Sequence, residues 1–116
     1  MQWSELWFAA AATKVAHRFT SVSDLRAFSG QVAIGPDSES LPALAARDGI
    51  WVSTEPMPET VKDVGPDGLV RATVPRDGLS IVRYPVVVPA EIAVLAGDPE
   101  DLLRRVIASG RELRRL

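Results

Sequence analysis

Residues 69–88 read "LVRATVPRDGLSIVRYPVVV", and this stretch carries the clearest β pattern in the chain. Apolar and polar side chains alternate over 69–74, as they do in a strand with one buried face. Pro-x-Asp-Gly at 75–78 supplies turn chemistry, so the run at 79–88 is predicted to return as a second strand. Because Pro85 cannot donate a ladder hydrogen bond, it predicts either an edge strand or a bulge.

Two more strand candidates lie upstream of this hairpin. They are "QVAI" at 31–34 and "IWVS" at 50–53, each short and apolar. Short helices are also predicted here, one stopped by Gly30 and one capped by Ser40. The segment 89–97 fits either a short helix or a continuing strand, and we leave both open.

The N-terminal segment predicts an amphipathic helix over 4–19. Four apolar residues follow helical spacing along one stripe: Phe8, Ala12, Val15 and Phe19. Trp3, Leu6 and Trp7 lie off this stripe and form a second apolar patch. Either the helix is buried on two sides, or the patch is an interface that becomes buried against another chain. On the second interpretation we expect a homodimer or a stable hetero-complex.

The C-terminal segment predicts a second helix over 98–116. Asp98 is its N-cap and Pro99 its first helical residue, which is a strong start signal. Leu103, Val106 and Leu113 are expected to be buried. The arginines of this helix are expected to stay exposed, among them three candidate interface residues: Arg104, Arg111 and Arg115.

Charge is unevenly distributed along the chain. Five of the eleven arginines fall in 104–116, which carries +4, whereas 1–103 carries −6. An acidic body repels phosphate, so we do not expect nucleic acid as a partner. The C-terminal arginines are predicted to face solvent or another protein.

Residue types exclude several kinds of chemistry. The chain has no cysteine and one histidine, and it contains neither a Gly-x-Ser-x-Gly elbow nor a glycine-rich phosphate loop. Glu55, Glu59 and Asp63 are spaced by four, but prolines interrupt them and no coordinating pattern is present. We therefore expect no catalytic residue of these classes, no metal and no cofactor.

Length and composition indicate an ordinary globular protein. The 116 residues are 47% hydrophobic and 24% charged, which is enough for one compact domain over 1–116. No apolar run approaches the roughly 18 residues of a spanning helix, and nothing resembles a signal peptide, so a cytoplasmic protein is expected. The excess of arginine over lysine indicates a GC-rich, bacterial coding sequence.

The predicted fold class is α+β. A small, mainly antiparallel sheet from 31–34, 50–53, 69–74 and 79–88 would be packed by N-terminal and C-terminal amphipathic helices.

Two functions follow. The preferred hypothesis is a non-enzymatic binding protein that acts through protein–protein contact, such as an adaptor, a regulator or an immunity-type inhibitor. The alternative is a small cofactor-free enzyme or small-molecule-binding module with its site between sheet and helices. For that alternative the candidate ligand residues are His17, Arg71, Arg83 and Tyr84.

Overall fold

The computed structural model describes residues 1–11, 14–56, 61–64, 70–74 and 80–116, with the backbone alone for 61–64, 70–74 and 80. Within these ranges eight strands occur in chain order: β1 (Trp7–Ala10), β2 (His17–Arg18), β3 (Gln31–Gly35), β4 (Ile50–Pro56), β5 (Val61–Val64), β6 (Val70–Val74), β7 (Ser80–Pro89) and β8 (Leu113–Arg115).

Six of these strands form one mixed sheet in the order β2-β1-β3-β7-β4-β8. Its neighbours are antiparallel except at one edge, where β8 pairs with β4 in parallel. The other two strands, β5 and β6, pair with each other as a separate antiparallel ribbon.

The described helices are short. They are α1 (Leu41–Leu44), α2 (Ala90–Ala93) and α3 (Pro99–Ala108), together with 3-10 helices at Trp3–Glu5 and Val22–Ala27. Within the described ranges, no helix has the length and apolar character needed to cross a membrane. The predicted α+β class is confirmed, and the ambiguous segment 89–97 contains a helix.

One face of the sheet carries the larger core. Side chains from the central strands pack there against α2, the 3-10 helix at Val22–Ala27, and Leu102 and Val106 of α3. The strand residues include Phe8, Ile34, Val86 and Val88. The opposite face holds a smaller cluster, which α1 covers: Ala9, Ala33, Leu41, Ala45 and Val87. The central strands are therefore buried on both faces.

The predicted N-terminal helix over 4–19 is wrong. The segment forms β1 and β2, with a 3-10 turn before them. Leu6, Phe8 and Ala10 belong to the larger core, while Ala9 belongs to the smaller one. A strand buried on both faces reads as a continuous apolar run, which periodicity alone does not distinguish from a buried helix.

The predicted C-terminal helix is correct only in its first half. It begins after Asp98, whose side chain accepts a hydrogen bond from the Asp101 N–H at 2.7 Å, and it ends at Ala108. Gly110 follows with φ +72, the left-handed conformation that terminates many helices. The remaining residues form β8 and close the sheet beside β4, so they do not continue the helix.

The predicted strands are confirmed, but one of them is placed in the wrong sheet. The strand predicted at 69–74 is β6, and it pairs with β5 instead of joining the central sheet. The Pro-x-Asp-Gly turn at 75–78 lies outside the described residues. β7 is a central strand, so Pro85 does not mark an edge. The ladder with β4 shifts register opposite this residue, and the bulge accommodates the missing N–H.

Gly35 packs closely against Pro85 of the neighbouring strand β7 and has no room for a side chain. A Cβ built on this residue would lie 2.8 Å from the Pro85 Cβ and 3.2 Å from the Pro85 Cα. We expect Gly35→Ala to lower the free energy of unfolding by about 1–3 kcal/mol, because the added methyl group overpacks this contact. Urea denaturation measures the loss. A wild-type midpoint in the variant would show that β3 and β7 separate easily here.

Candidate functional site

A cleft of about 470 Å³ opens at the end of the sheet where β3 begins and β7 ends. Gln31 and Pro89 pair across these two strands and form its base. The 3-10 helix at Val22–Ala27 and the loop through Gly30 form one wall, and α2 forms the other. A hydrogen bond from the Ala90 N–H to the Gly30 carbonyl, 2.8 Å long, ties the two walls together.

The walls of the cleft are mainly apolar. Five of its lining side chains are hydrocarbon or aromatic: Leu25, Phe28, Pro89, Ala90 and Val94. Phe28 also contacts Phe8 edge-on, with 5.5 Å between ring centroids, so the cleft adjoins the aromatic part of the larger core. This volume and lining are typical of small-molecule sites.

The polar groups of the cleft lie at its rim. Arg26, Ser29 and Glu91 are exposed there, and the Gln31 side chain donates a hydrogen bond to the Gly49 carbonyl. Glu91 is bound by Arg111, with 3.3 Å between nitrogen and oxygen. Among the described residues, no polar or charged side chain is fully buried. Chemistry in this part of the molecule would therefore use groups that water can reach.

The cleft wall is fixed by the cap of its 3-10 helix. Ser21 accepts a hydrogen bond from the Ser23 N–H, and the Asp24 carboxylate accepts from the Thr20 and Ser21 N–H groups. The hydrogen bonds to Asp24 lower the pKa of its carboxyl below the ordinary value, because they stabilise the charged form. The bond from the Thr20 N–H has the largest effect. The cap orients the helix so that Leu25 is buried while Arg26 remains at the rim.

Gly30 allows the chain to turn at the mouth of the cleft. Its φ is +87, and a Cβ added there would meet nothing within 4 Å. From the sequence, this residue is predicted only as a helix stop. In the structure it also presents bare backbone to open space beside the cleft, a setting in which glycine permits close approach of a ligand.

Three of the four predicted ligand residues have described side chains, and none of these three lines the cleft. His17 lies on β2, three strands from β7, which corresponds to about 14 Å at the usual strand spacing. Arg83 is exposed and pairs with Glu55 at 3.3 Å. Arg71 lies on β6, outside the residues whose side chains are described. Their role as ligand residues remains a prediction.

Tyr84 has a structural contact instead. Its hydroxyl donates a 2.8 Å hydrogen bond to the Pro99 carbonyl and so links β7 to the start of α3. Burial raises the pKa of Tyr84 well above its ordinary value, and the charges of Glu100 and Asp98 add to the effect. The phenol therefore stays protonated at neutral pH.

The residues of the predicted aromatic interface make contacts within their own chain. Leu6 is fully buried in its own core and offers no surface to a partner. Trp3 is half-buried, stacks against Phe19 with 5.1 Å between centroids, and points its indole N–H at the Gly97 carbonyl, 3.4 Å away. Trp7 is half-buried beneath the Arg18 guanidinium.

The C-terminal arginines are exposed, in line with the sequence analysis. Arg104 pairs with Asp101 at 3.3 Å, and Arg111, which precedes β8, pairs with Glu91 of α2. Arg115 lies on β8 opposite Val52 of β4. Their assignment to an interface remains a prediction.

Of the three acidic residues that are spaced by four, only Glu55 has a described side chain. Glu55 pairs with Arg83, and Glu59 lies outside the described residues. Asp63 lies on β5, where the backbone alone is described.

Sequence reasoning missed every residue of the cleft. The lining comes from two segments about sixty positions apart, "LRAFSGQ" at 25–31 and "PAEIAV" at 89–94. Neither contains a motif, and the residues that form the apolar walls are of types that ordinary cores use. The one sequence feature that relates to the cleft is the segment 89–97, which fits a helix or a strand. Its helical form, α2, places side chains opposite those of 25–31.

No protein-family model matches the chain, and no curated protein sequence does. Solved structures do match. In the 2-C-methyl-D-erythritol 4-phosphate cytidylyltransferase from Thermus thermophilus, the match covers 82% of this chain and 55% of that one, with 23% identity and a TM-score of 0.53. The chain thus spans about half the length of this structure. The 4-diphosphocytidyl-2C-methyl-D-erythritolsynthase from Anaerococcus prevotii matches over 70% of this chain and 44% of that one, with 16% identity and a TM-score of 0.45.

The preferred functional hypothesis is contradicted by this comparison. The residue pattern favours a non-enzymatic adaptor, regulator or immunity-type inhibitor, whereas the fold is similar to that of a cytidylyltransferase. The alternative, a small enzyme or small-molecule-binding module, agrees better with the likeness. At 23% identity the likeness is one of fold alone: this chain is similar in fold to about half of that cytidylyltransferase.

Proposed function

We propose that this chain is a small-molecule-binding module of an enzyme, and that its ligand site is the cleft between the 3-10 helix at Val22–Ala27 and α2. The observation that carries the proposal is the fold, which the chain shares with a cytidylyltransferase over 82% of its length. The site is of the kind that the alternative hypothesis expects, between the sheet and its helices.

The cleft supports this assignment by its shape and lining. Its volume of about 470 Å³ falls inside the range of roughly 300–1,000 Å³ that small-molecule sites occupy. The apolar walls supply contact area, and the rim supplies a few polar groups that would fix orientation. Because the chain contains no glycine-rich phosphate loop, we assign it the binding of an acceptor or effector molecule, and not the cradling of a triphosphate.

The test is a titration followed by backbone amide resonances in the labelled protein. The probes are cytidine monophosphate, 2-C-methyl-D-erythritol 4-phosphate and a set of small aromatic acids, amides and amines. We expect at least one of them to shift the amides of Ser29, Gly30 and Glu91 saturably, since these residues border the cleft. A set of probes that all leave these amides unshifted would contradict the proposal.

Ser29→Trp is the matched variant, because an indole at the rim would fill part of the cleft without replacing a buried group. Ala46→Trp is its control and places the same side chain on an exposed position outside the cleft. We expect the first variant to lose the saturable shifts and the second to retain them. Equal loss in both variants would indicate general damage and not a blocked site.

A further inference from the structure

The charge at the cleft rim is unbalanced. The rim carries Arg26 and Glu91, and Glu91 is neutralised by Arg111 at 3.3 Å. Among the described residues, no acidic side chain lies within ion-pair distance of the Arg26 guanidinium. The rim thus has one positive charge that the described part of the chain does not compensate.

This charge lies next to apolar walls. Arg26 directly follows Leu25, which is fully buried under the cleft, and Phe28 comes two positions later. A ligand that filled the cleft would therefore have an apolar body within reach of a cation at its outer end. A neutral apolar ligand would leave the guanidinium without a partner, and a cationic ligand would be repelled by it.

The backbone at the mouth leaves room for the polar end of such a ligand. Gly30 has no side chain, and a Cβ added there would meet nothing within 4 Å. Ser29, on the same exposed loop, has a hydroxyl that can donate to an anion. Hydrogen bonds from neutral donors and from arginine together are the usual means of holding a carboxylate or a phosphate monoester.

We propose that the cleft binds a small amphipathic anion, with its apolar body between Phe28 and Val94, above the buried Leu25, and its single acidic group at Arg26. The inference rests on the proposed function and specifies the ligand class of that same site. Carboxylates and phosphate monoesters share the required chemistry, and the experiment separates them.

The experiment compares probes of one shape and different charge. Phenylpropionate, its neutral amide and phenylpropylamine are each titrated into the protein, with 3-phenylpropyl phosphate as the phosphate arm, and dissociation constants are read from the Gly30 and Glu91 amides. We expect the acid to bind about fivefold more tightly than the amide, as exposed ion pairs allow, and the amine to bind most weakly. Added salt should weaken the binding of the acid and leave the amide unchanged. The anion with the lower dissociation constant identifies the acidic group that the cleft prefers.

Variants at the rim test the role of the arginine. Arg26→Gln should remove the preference for the acid while leaving the affinity of the amide unchanged, and Arg26→Lys should restore most of it. Arg104→Gln, a substitution of an exposed arginine on α3, is the control and should change neither affinity. Because Arg26 and Arg104 are both exposed, all three variants are expected to fold.

The outcomes separate this inference from the proposed function. Equal affinity for acid and amide in the wild type, or an acid preference that survives Arg26→Gln, would overturn the inference and leave the cleft as a ligand site. Absence of binding by these probes and by the wider probe set would overturn both. A preference for the amine would also overturn the inference, since it would require a negative rim.

Discussion

Phe8→Ala is expected to lower the free energy of unfolding by about 3–5 kcal/mol, as truncation of a buried phenylalanine does. Phe8 is 4% exposed and lies at the centre of an aromatic cluster. Its ring is 4.7 Å from Phe19 and 5.5 Å from Phe28, measured between centroids. The substitution therefore removes both buried area and ring contacts that the neighbours cannot replace. Small domains are stable by only about 5–15 kcal/mol, so a large part of that margin would be lost.

Urea denaturation followed by tryptophan fluorescence measures this effect. Val15→Ala is the control, because Val15 is 61% exposed and its truncation should change the free energy of unfolding by less than about 0.5 kcal/mol. A helix over 4–19 would put Phe8 and Val15 on one stripe and so predicts similar losses for both. Comparable losses of unfolding free energy in the two variants would favour a helix over 4–19 and contradict β1.

Leu102→Ala is expected to cost about 2–5 kcal/mol, the range for a buried leucine. Leu102 is fully buried in the larger core and, with Val106, attaches α3 to the sheet. The helix start is held separately by the Asp98 cap and by Asp101, which accepts hydrogen bonds from Arg105 and from the Gly97 N–H. The bonds from Arg105 and from the Gly97 N–H lower the pKa of Asp101. The loss should therefore appear as a packing defect, with α3 still formed.

Ile107→Ala provides the comparison on the same helix. Ile107 is 55% exposed, so its truncation should be nearly neutral. Circular dichroism reports whether α3 remains helical, and denaturation reports the stability of both variants. A large loss for Ile107→Ala together with a small one for Leu102→Ala would mean that α3 packs through its other face.

The hypothesis of a non-enzymatic binding protein is wrong for a specific reason. The sequence contains no catalytic motif, and that absence favours a protein that binds other proteins. A cleft built from Leu25, Phe28, Ala90 and Val94 leaves no motif, because a ligand wall needs shape and apolar area but no reactive group. The likeness to a cytidylyltransferase fold is visible only from the arrangement of the strands.

Local residue patterns did determine several elements. The strands at 31–34, 50–53 and 79–88 follow from apolar runs bounded by glycine and proline, and α3 begins after Asp98 as its Asp-Pro start predicts. The exposure of the C-terminal arginines also followed, since a guanidinium is seldom buried without a partner. In each case the deciding interaction lies within a few residues of the signal.

Tertiary structure decided the rest, because the deciding contacts join distant residues. The segment 7–10 is a strand since β2 and β3 take up its backbone hydrogen bonds and both of its faces are covered. The residues after Gly110 form β8 since β4 offers an open edge about sixty positions earlier in the chain. The cleft exists only where 25–31 meets 89–94. An apolar run satisfies a helix and a doubly buried strand equally well, so the partner strands, which the run itself does not encode, determine which one forms.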